Sequence, residues 1–113
     1  MIKINRFDPT QATKAHSDTI LGMPAFSSGM NEPFSHFYGH LAGNGLMDGH
    51  RNGHRHAAPE IYIVFEGEGF VIIDGEEAAV RAGDVIEIPG NAAHTMENRS
   101  GKPLTWLAIW WPA

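Results

Sequence analysis

The feature that most constrains this chain is the punctuation of its second half. From Glu60 onward, apolar and β-branched segments of strand length are each closed by a turn signal. Glu60 to Glu66 ends at Gly67-Glu68-Gly69, Phe70 to Ile73 at Asp74-Gly75, Glu77 to Arg81 at Ala82-Gly83-Asp84, and Val85 to Ile88 at Pro89-Gly90-Asn91. His94 to Asn98 and Leu104 to Trp111 complete the series. Asp74-Gly75 is the sharpest of these signals, because both central residues of a type I′ hairpin turn need positive φ. Many short strands at regular spacing predict an all-β sandwich or barrel. Composition agrees: ten Ile stand against five Leu, with 13 Gly and 7 Pro, which favours strands and tight turns over helices. At 113 residues the chain is the length of one domain, and residues 1–113 are read as one.

The first half is less sharply patterned. Ile2 to Phe7 reads as a short strand, Asp8 to Pro33 as a turn-rich stretch, and Phe34 to Leu41 as a strand carrying His36, Tyr38 and His40 on one face. No segment predicts a helix.

Charge and composition remove several kinds of function. Eight Lys and Arg against 13 Asp and Glu give a net charge of −5, with no basic cluster beyond Arg51 and Arg55, so nucleic acid and membrane surfaces are not expected partners. No apolar run approaches the roughly twenty residues of a membrane span. The opening MIKINRFDPTQ lacks the apolar core of a secretory signal, and a cytoplasmic location is expected. Without cysteine there are no disulfides, thiol nucleophiles or thiolate metal sites. Asn98-Arg99-Ser100 fits a glycosylation sequon and is read as coincidence.

Seven His against three Lys is the unusual ratio, and the placement of the histidines carries the functional reading. His54 and His56 are two residues apart, so in an extended chain both point to one side, about 6.6 Å apart along it. Glu60 has the same parity, and the Pro59 bend brings a carboxylate toward the same point. His94, just beyond the Pro89-Gly90 turn, is the candidate fourth ligand from another strand. Three imidazoles and a carboxylate suit one divalent transition metal, namely iron, manganese, nickel, cobalt, zinc or copper. Around an octahedral ion they leave two positions for a water, a substrate or dioxygen.

At this point the sequence resembles a known family. HRHAAPEIYIVFEG, residues 54–67, is similar to the first motif of the cupins, H-x-H, three residues, E, six residues, G. GDVIEIPGNAAHTMEN, residues 83–98, is similar to the second, G, five residues, P-x-G, two residues, H, three residues, N. The resemblance implies a small double-stranded β-helix, or jelly-roll, barrel with His54, His56, Glu60 and His94 as metal ligands. It also implies a homodimer. Two positions depart from the pattern: Asp48 stands where the first motif has Gly six residues before its first His, and Asn91 stands where the second motif has Gly.

The remaining expectations concern what surrounds the metal. Tyr62 and Val64 share parity with Glu60 and should point inward, as Met96 should with His94. Tyr62, His36 and His40 are the candidate catalytic groups, with Glu87 a further titratable one, while His16 and His50 read as ordinary polar residues. Trp106 and Trp110 share one face of the last strand, with Leu107, Ile109 and Trp111 on the other, and the pattern does not say which faces the lumen. More apolar surface than one lumen can hide also argues for a homodimer. The reading is a metal-dependent enzyme acting on a small polar chelating molecule, such as a sugar, keto acid or diol, by dioxygenase, isomerase or lyase chemistry. The alternative is a non-catalytic module that binds or senses a small ligand.

Overall fold

A computed structural model describes residues 2–27 and 30–112. Among the described residues nine strands form: β1 (Thr13–Ala15), β2 (Ile20–Met23), β3 (Ser35–Leu41), β4 (Glu60–Glu66), β5 (Glu68–Ile73), β6 (Glu76–Arg81), β7 (Val85–Ile88), β8 (His94–Glu97) and β9 (Leu104–Trp110). The helical content among the described residues is one 3-10 turn, Met47–Gly49. Strands β1-β2-β3-β9-β4-β7 make one sheet in that order and β6-β5-β8 a second, every pairing antiparallel. The expected all-β jelly-roll barrel is what the chain adopts.

From Glu60 on, the strands follow the turn signals closely. Asp74 and Gly75 hold φ of 49° and 83°, the positive pair a type I′ turn demands. Asn91 holds φ of 65°, so the residue standing for glycine takes the conformation glycine would, which Asn tolerates better than most.

The first half differs. Ile2 to Phe7 forms no strand; Ile2 and Ile4 are largely exposed, while the Phe7 ring packs 5.1 Å from that of Tyr38. A hairpin, β1 and β2, forms instead inside the stretch read as turns. Its connection runs through His16, Ser17 and Asp18, all at positive φ and none of them glycine, which is why no turn signature marked it.

Period two decides what faces inward. Tyr62, Val64, Ile86, Ile88, Leu104, Trp106 and Ala108 of the larger sheet meet Val71, Val80 and Met96 of the smaller. The even-numbered face of the last strand is therefore the inner one, and Gly39 is bare because a Cβ there would lie 2.6 Å from the Trp106 ring. Asn98 is also buried: its amide donates to the carbonyls of Leu41, Ala42 and Lys102, and its Oδ1 accepts from the Ser100 N–H and hydroxyl. A buried, saturated amide is no glycan acceptor. Asn98→Ala strands those carbonyls, and a loss of about 2 kcal/mol or more in denaturant unfolding is expected.

Candidate metal centre

The centre is assembled where an irregular segment meets the smaller sheet. His54 is joined to His94 by a two-way backbone bridge, N–H to carbonyl at 3.0 and 2.9 Å, outside any longer strand. Gly53 makes this approach possible, since its φ is 72° and a Cβ would sit 2.2 Å from the His94 carbonyl oxygen. His56 is set from the other side, its carbonyl accepting the Asn91 N–H at 2.7 Å in the turn that precedes His94. The strand begins only at Glu60, so the two histidines converge through a bend and a bridge rather than as neighbours along one strand.

His54, His56 and His94 each offer a ring nitrogen, and these lie within 4.8 Å of one another. The Glu60 Oε1 is 3.1 Å from the Nε2 of both His56 and His94. Each imidazole also has an oxygen at its other nitrogen. His54 Nδ1 faces Asp48 Oδ2 at 2.7 Å, His56 Nδ1 the Ala58 carbonyl at 2.8 Å, and His94 Nδ1 the Ala92 carbonyl at 2.9 Å. A carbonyl only accepts, so Nδ1 of His56 and His94 carries the proton and Nε2 of the neutral ring is a lone pair.

The consequence is an unbalanced site. Two lone pairs approach one carboxylate oxygen, an arrangement that needs a cation in the middle. His94 is 1% exposed and its Nε2 is fully buried without a hydrogen-bond partner in acceptable geometry. The residues fit a divalent transition metal, which would satisfy all of these groups at once, and the three histidines can hold one. Without metal the demand falls on protons. Burial alone would lower the His94 pKa, but the Glu60 carboxylate 3.1 Å from its Nε2 and the Ala92 carbonyl at its Nδ1 raise it above the ordinary histidine value.

A cavity of about 290 Å³ opens on this cluster, lined by His16, His54, His56, Glu60, Tyr62, Phe37 and the inward face of β9, Trp106, Ala108 and Trp110. Tyr62 is 2% exposed, and burial followed by the charges of Glu60 and Asp48 drives its phenol pKa well above the ordinary value, so it stays neutral. His36 and His40 do not reach this space. Phe37, Gly39 and Leu41 are the inward residues of β3, so its even-numbered side chains lie on the outer face. There His36 Nδ1 accepts the Ala25 N–H at 3.0 Å, and His40 Nδ1 pairs with the Thr105 hydroxyl at 3.0 Å. Glu87 also points outward, between buried Ile86 and Ile88.

Two residues of the site, one read as an ordinary polar residue and one noted only as a departure from the motif, were not expected there from the sequence. His16 lines the cavity with its ring centroid 4.6 Å from that of His54, and Asp48 lies between the two. Burial raises the Asp48 pKa, but hydrogen bonds from His16 and His54 outweigh it and hold the carboxyl well below the usual range. Nothing in the pattern around His16 marks it; the departure from glycine at Asp48 was the available signal.

A family model described as the cupin domain matches residues 42–110. The chain belongs to the cupin family. Among curated relatives, it is 51% identical over 41 residues to a dimethylsulfoniopropionate lyase, DddW, of Ruegeria pomeroyi, covering 36% of this chain and 27% of that protein. It is 38% identical over 55 residues to a gentisate 1,2-dioxygenase of a Streptomyces species, covering 48% of this chain and 15% of that one. The cupin chain thus spans less than half the length of these relatives. A solved cupin 2 conserved barrel domain protein from Salinispora arenicola superposes with a TM-score of 0.85 at 22% identity, over 100% of this chain and 91% of the other, and this likeness carries the fold. No helix among the described residues is long and apolar enough to cross a membrane.

Proposed function

We propose that residues 1–113 form one cupin domain that holds a single divalent transition metal on His54, His56, Glu60 and His94 and acts as a metal-dependent enzyme on a small polar molecule able to chelate it. The observation that carries this reading is the buried His94 Nε2, partnerless beside a carboxylate oxygen that a second imidazole also approaches. When bound, the metal supplies Lewis-acid polarisation of a substrate oxygen and a lowered pKa for bound water.

The chain's own residues do the rest. Glu60 is the anionic donor of the set, and its charge tempers the acidity of whatever the histidines hold. The apolar walls from Phe37, Trp106 and Trp110 exclude bulk water, which strengthens every polar interaction at the cavity floor. Tyr62, neutral and on the cavity wall, is the group that donates a proton to a substrate oxygen or orients it. Partial likeness to a lyase and to a dioxygenase supports chemistry on a small oxygen-rich molecule, such as a keto acid, diol or sugar. A screen of α-keto acids, catechols and simple sugars against the iron, manganese, nickel and zinc forms tests it. Turnover with one metal, falling at least about tenfold in Glu60→Gln, is expected. Tight ligand binding with no turnover under any metal would contradict catalysis and favour the sensing module.

The assembly we propose is a homodimer through the outer face of the larger sheet. Cross-strand register lines up Tyr38, Leu107, Ile63 and Val85 in one row and His36, Ile109 and Ile61 in the next. Val85 is 59% exposed and Phe65 47%, an apolar surface of the kind that marks interfaces. Sedimentation of the wild type should show a dimer at micromolar concentration, and Leu107→Glu with Val85→Glu should shift it to monomer. A wild type that sediments as monomer throughout would contradict the dimer.

A further inference from the structure

Each ligand imidazole gives its Nδ1 to an oxygen, but the three oxygens are of two kinds. His56 and His94 use carbonyls two residues away, so their orientation is fixed by their own backbone. His54 has no such carbonyl and relies on a side chain, Asp48 Oδ2 at 2.7 Å. Asp48 stands where the family motif has glycine, and it holds φ of 67°, a conformation glycine adopts freely and aspartate only against steric resistance.

The carboxylate is itself held firmly. Its Oδ1 is 3.2 Å from His16 Nδ1, and the Asp48 N–H donates to Thr19 Oγ1 at 3.0 Å. Thr19 in turn donates its hydroxyl to the His16 carbonyl at 2.7 Å. His16, Ser17 and Asp18, in left-handed conformation at 50°, 58° and 64°, make the β1–β2 turn that brings these contacts to Asp48. An unfavourable backbone at two places, meeting on one carboxylate next to a ligand, is strain kept at a site.

We propose that Asp48 is a positioning residue for the metal centre. It holds His54 with the proton on Nδ1 and Nε2 presented to the ion, and the β1–β2 turn holds Asp48 through His16 and Thr19. This rests on the metal reading above and assigns the ligand's orientation to a residue outside the family pattern. For the backbone alone glycine would be the better residue here; what aspartate contributes is the ligand's tautomer and direction.

The test uses Zn²⁺ alone as probe, titrated against a chromophoric chelator into metal-free wild type, Asp48→Gly, Asp48→Asn and His56→Ala, with the melting temperature of each metal-free protein read alongside. Asp48→Gly keeps the N–H bond to Thr19 and relaxes the backbone. It loses the carboxylate's contacts to His16 and His54, so its metal-free melting temperature should fall slightly, the relaxed backbone offsetting part of that loss, yet zinc should bind about 10- to 100-fold more weakly. Asp48→Asn retains an acceptor oxygen and tolerates positive φ, and should recover most of that loss. Zinc affinity unchanged in Asp48→Gly but lost in His56→Ala would overturn the positioning role and leave the metal centre standing. Equally poor binding by wild type and His56→Ala would overturn both. An Asp48→Gly protein that melts well below wild type without metal would assign Asp48 to the turn rather than the ligand. Two zinc ions per wild-type chain, one lost with Asp48, would make His16, Asp48 and His54 a site of their own and likewise overturn the proposal.

Discussion

His94→Ala is expected to leave the protein without stoichiometric metal, where the wild type carries close to one transition-metal ion per chain. His94 is the most buried ligand, and its Nε2 is the nitrogen that no protein group satisfies, so its loss removes a first contact that nothing nearby can replace. The affinity should fall by more than the roughly hundredfold that loss of an outer partner can cost. Stability follows by mass action: metal at about 100 times its dissociation constant stabilises the wild type by roughly 2.7 kcal/mol, and this increment disappears in the variant. It should also depend on pH. In the metal-free protein the His94 pKa lies above its unfolded value. The stabilisation from its proton is thus fully present below about pH 6.5 and is lost as pH rises through the folded pKa. Metal displaces that proton, so the rise in melting temperature on adding metal should be larger at pH 8 than at pH 6 in the wild type. A metal-loaded His94→Ala protein with an undiminished melting increment would contradict the ligand assignment.

The second large effect is expected at Tyr62. Tyr62→Phe removes one oxygen from the cavity wall, keeps the ring packed 5.5 Å from that of Trp106, and touches no ligand bond. On a substrate that the wild type turns over, kcat should fall about a hundredfold, the usual scale for loss of a proton-transferring group, with metal content unchanged. Glu60→Gln should instead lower metal occupancy and turnover together. That contrast separates proton donation from ion binding. Equal kcat in Tyr62→Phe and wild type would reduce Tyr62 to packing.

How far these residues could be read from the sequence depends on how local their cause is. The strands from Glu60 onward were legible because turn chemistry and period two are both local, and Asp74-Gly75 or Pro89-Gly90-Asn91 needs no distant partner. The convergence of His54, His56 and His94 was legible as spacing, though its means was not. A single backbone bridge between residues 54 and 94, permitted by a bare Gly53, depends on contacts forty residues apart. His36 and His40 sit on a strand whose limits were clear, but which side faced inward was settled by Trp106 covering Gly39 from another strand. The β1–β2 hairpin stayed hidden because its turn uses His, Ser and Asp where glycine would have announced it. Tyr62 and Met96 fell inward as parity required, since each shares a regular strand with a residue already tied to the site.

Three histidines and one carboxylate of this chain are proposed to hold a single metal ion. Anomalous diffraction from crystals of the natively purified protein, recorded above and below the absorption edge of the metal found by elemental analysis, locates that ion. One strong peak per chain is expected, about 2.0–2.2 Å from a ring nitrogen of His54, His56 and His94 and from a carboxylate oxygen of Glu60. No peak there, or a peak held by other residues while these four keep their present contacts, would contradict that assignment.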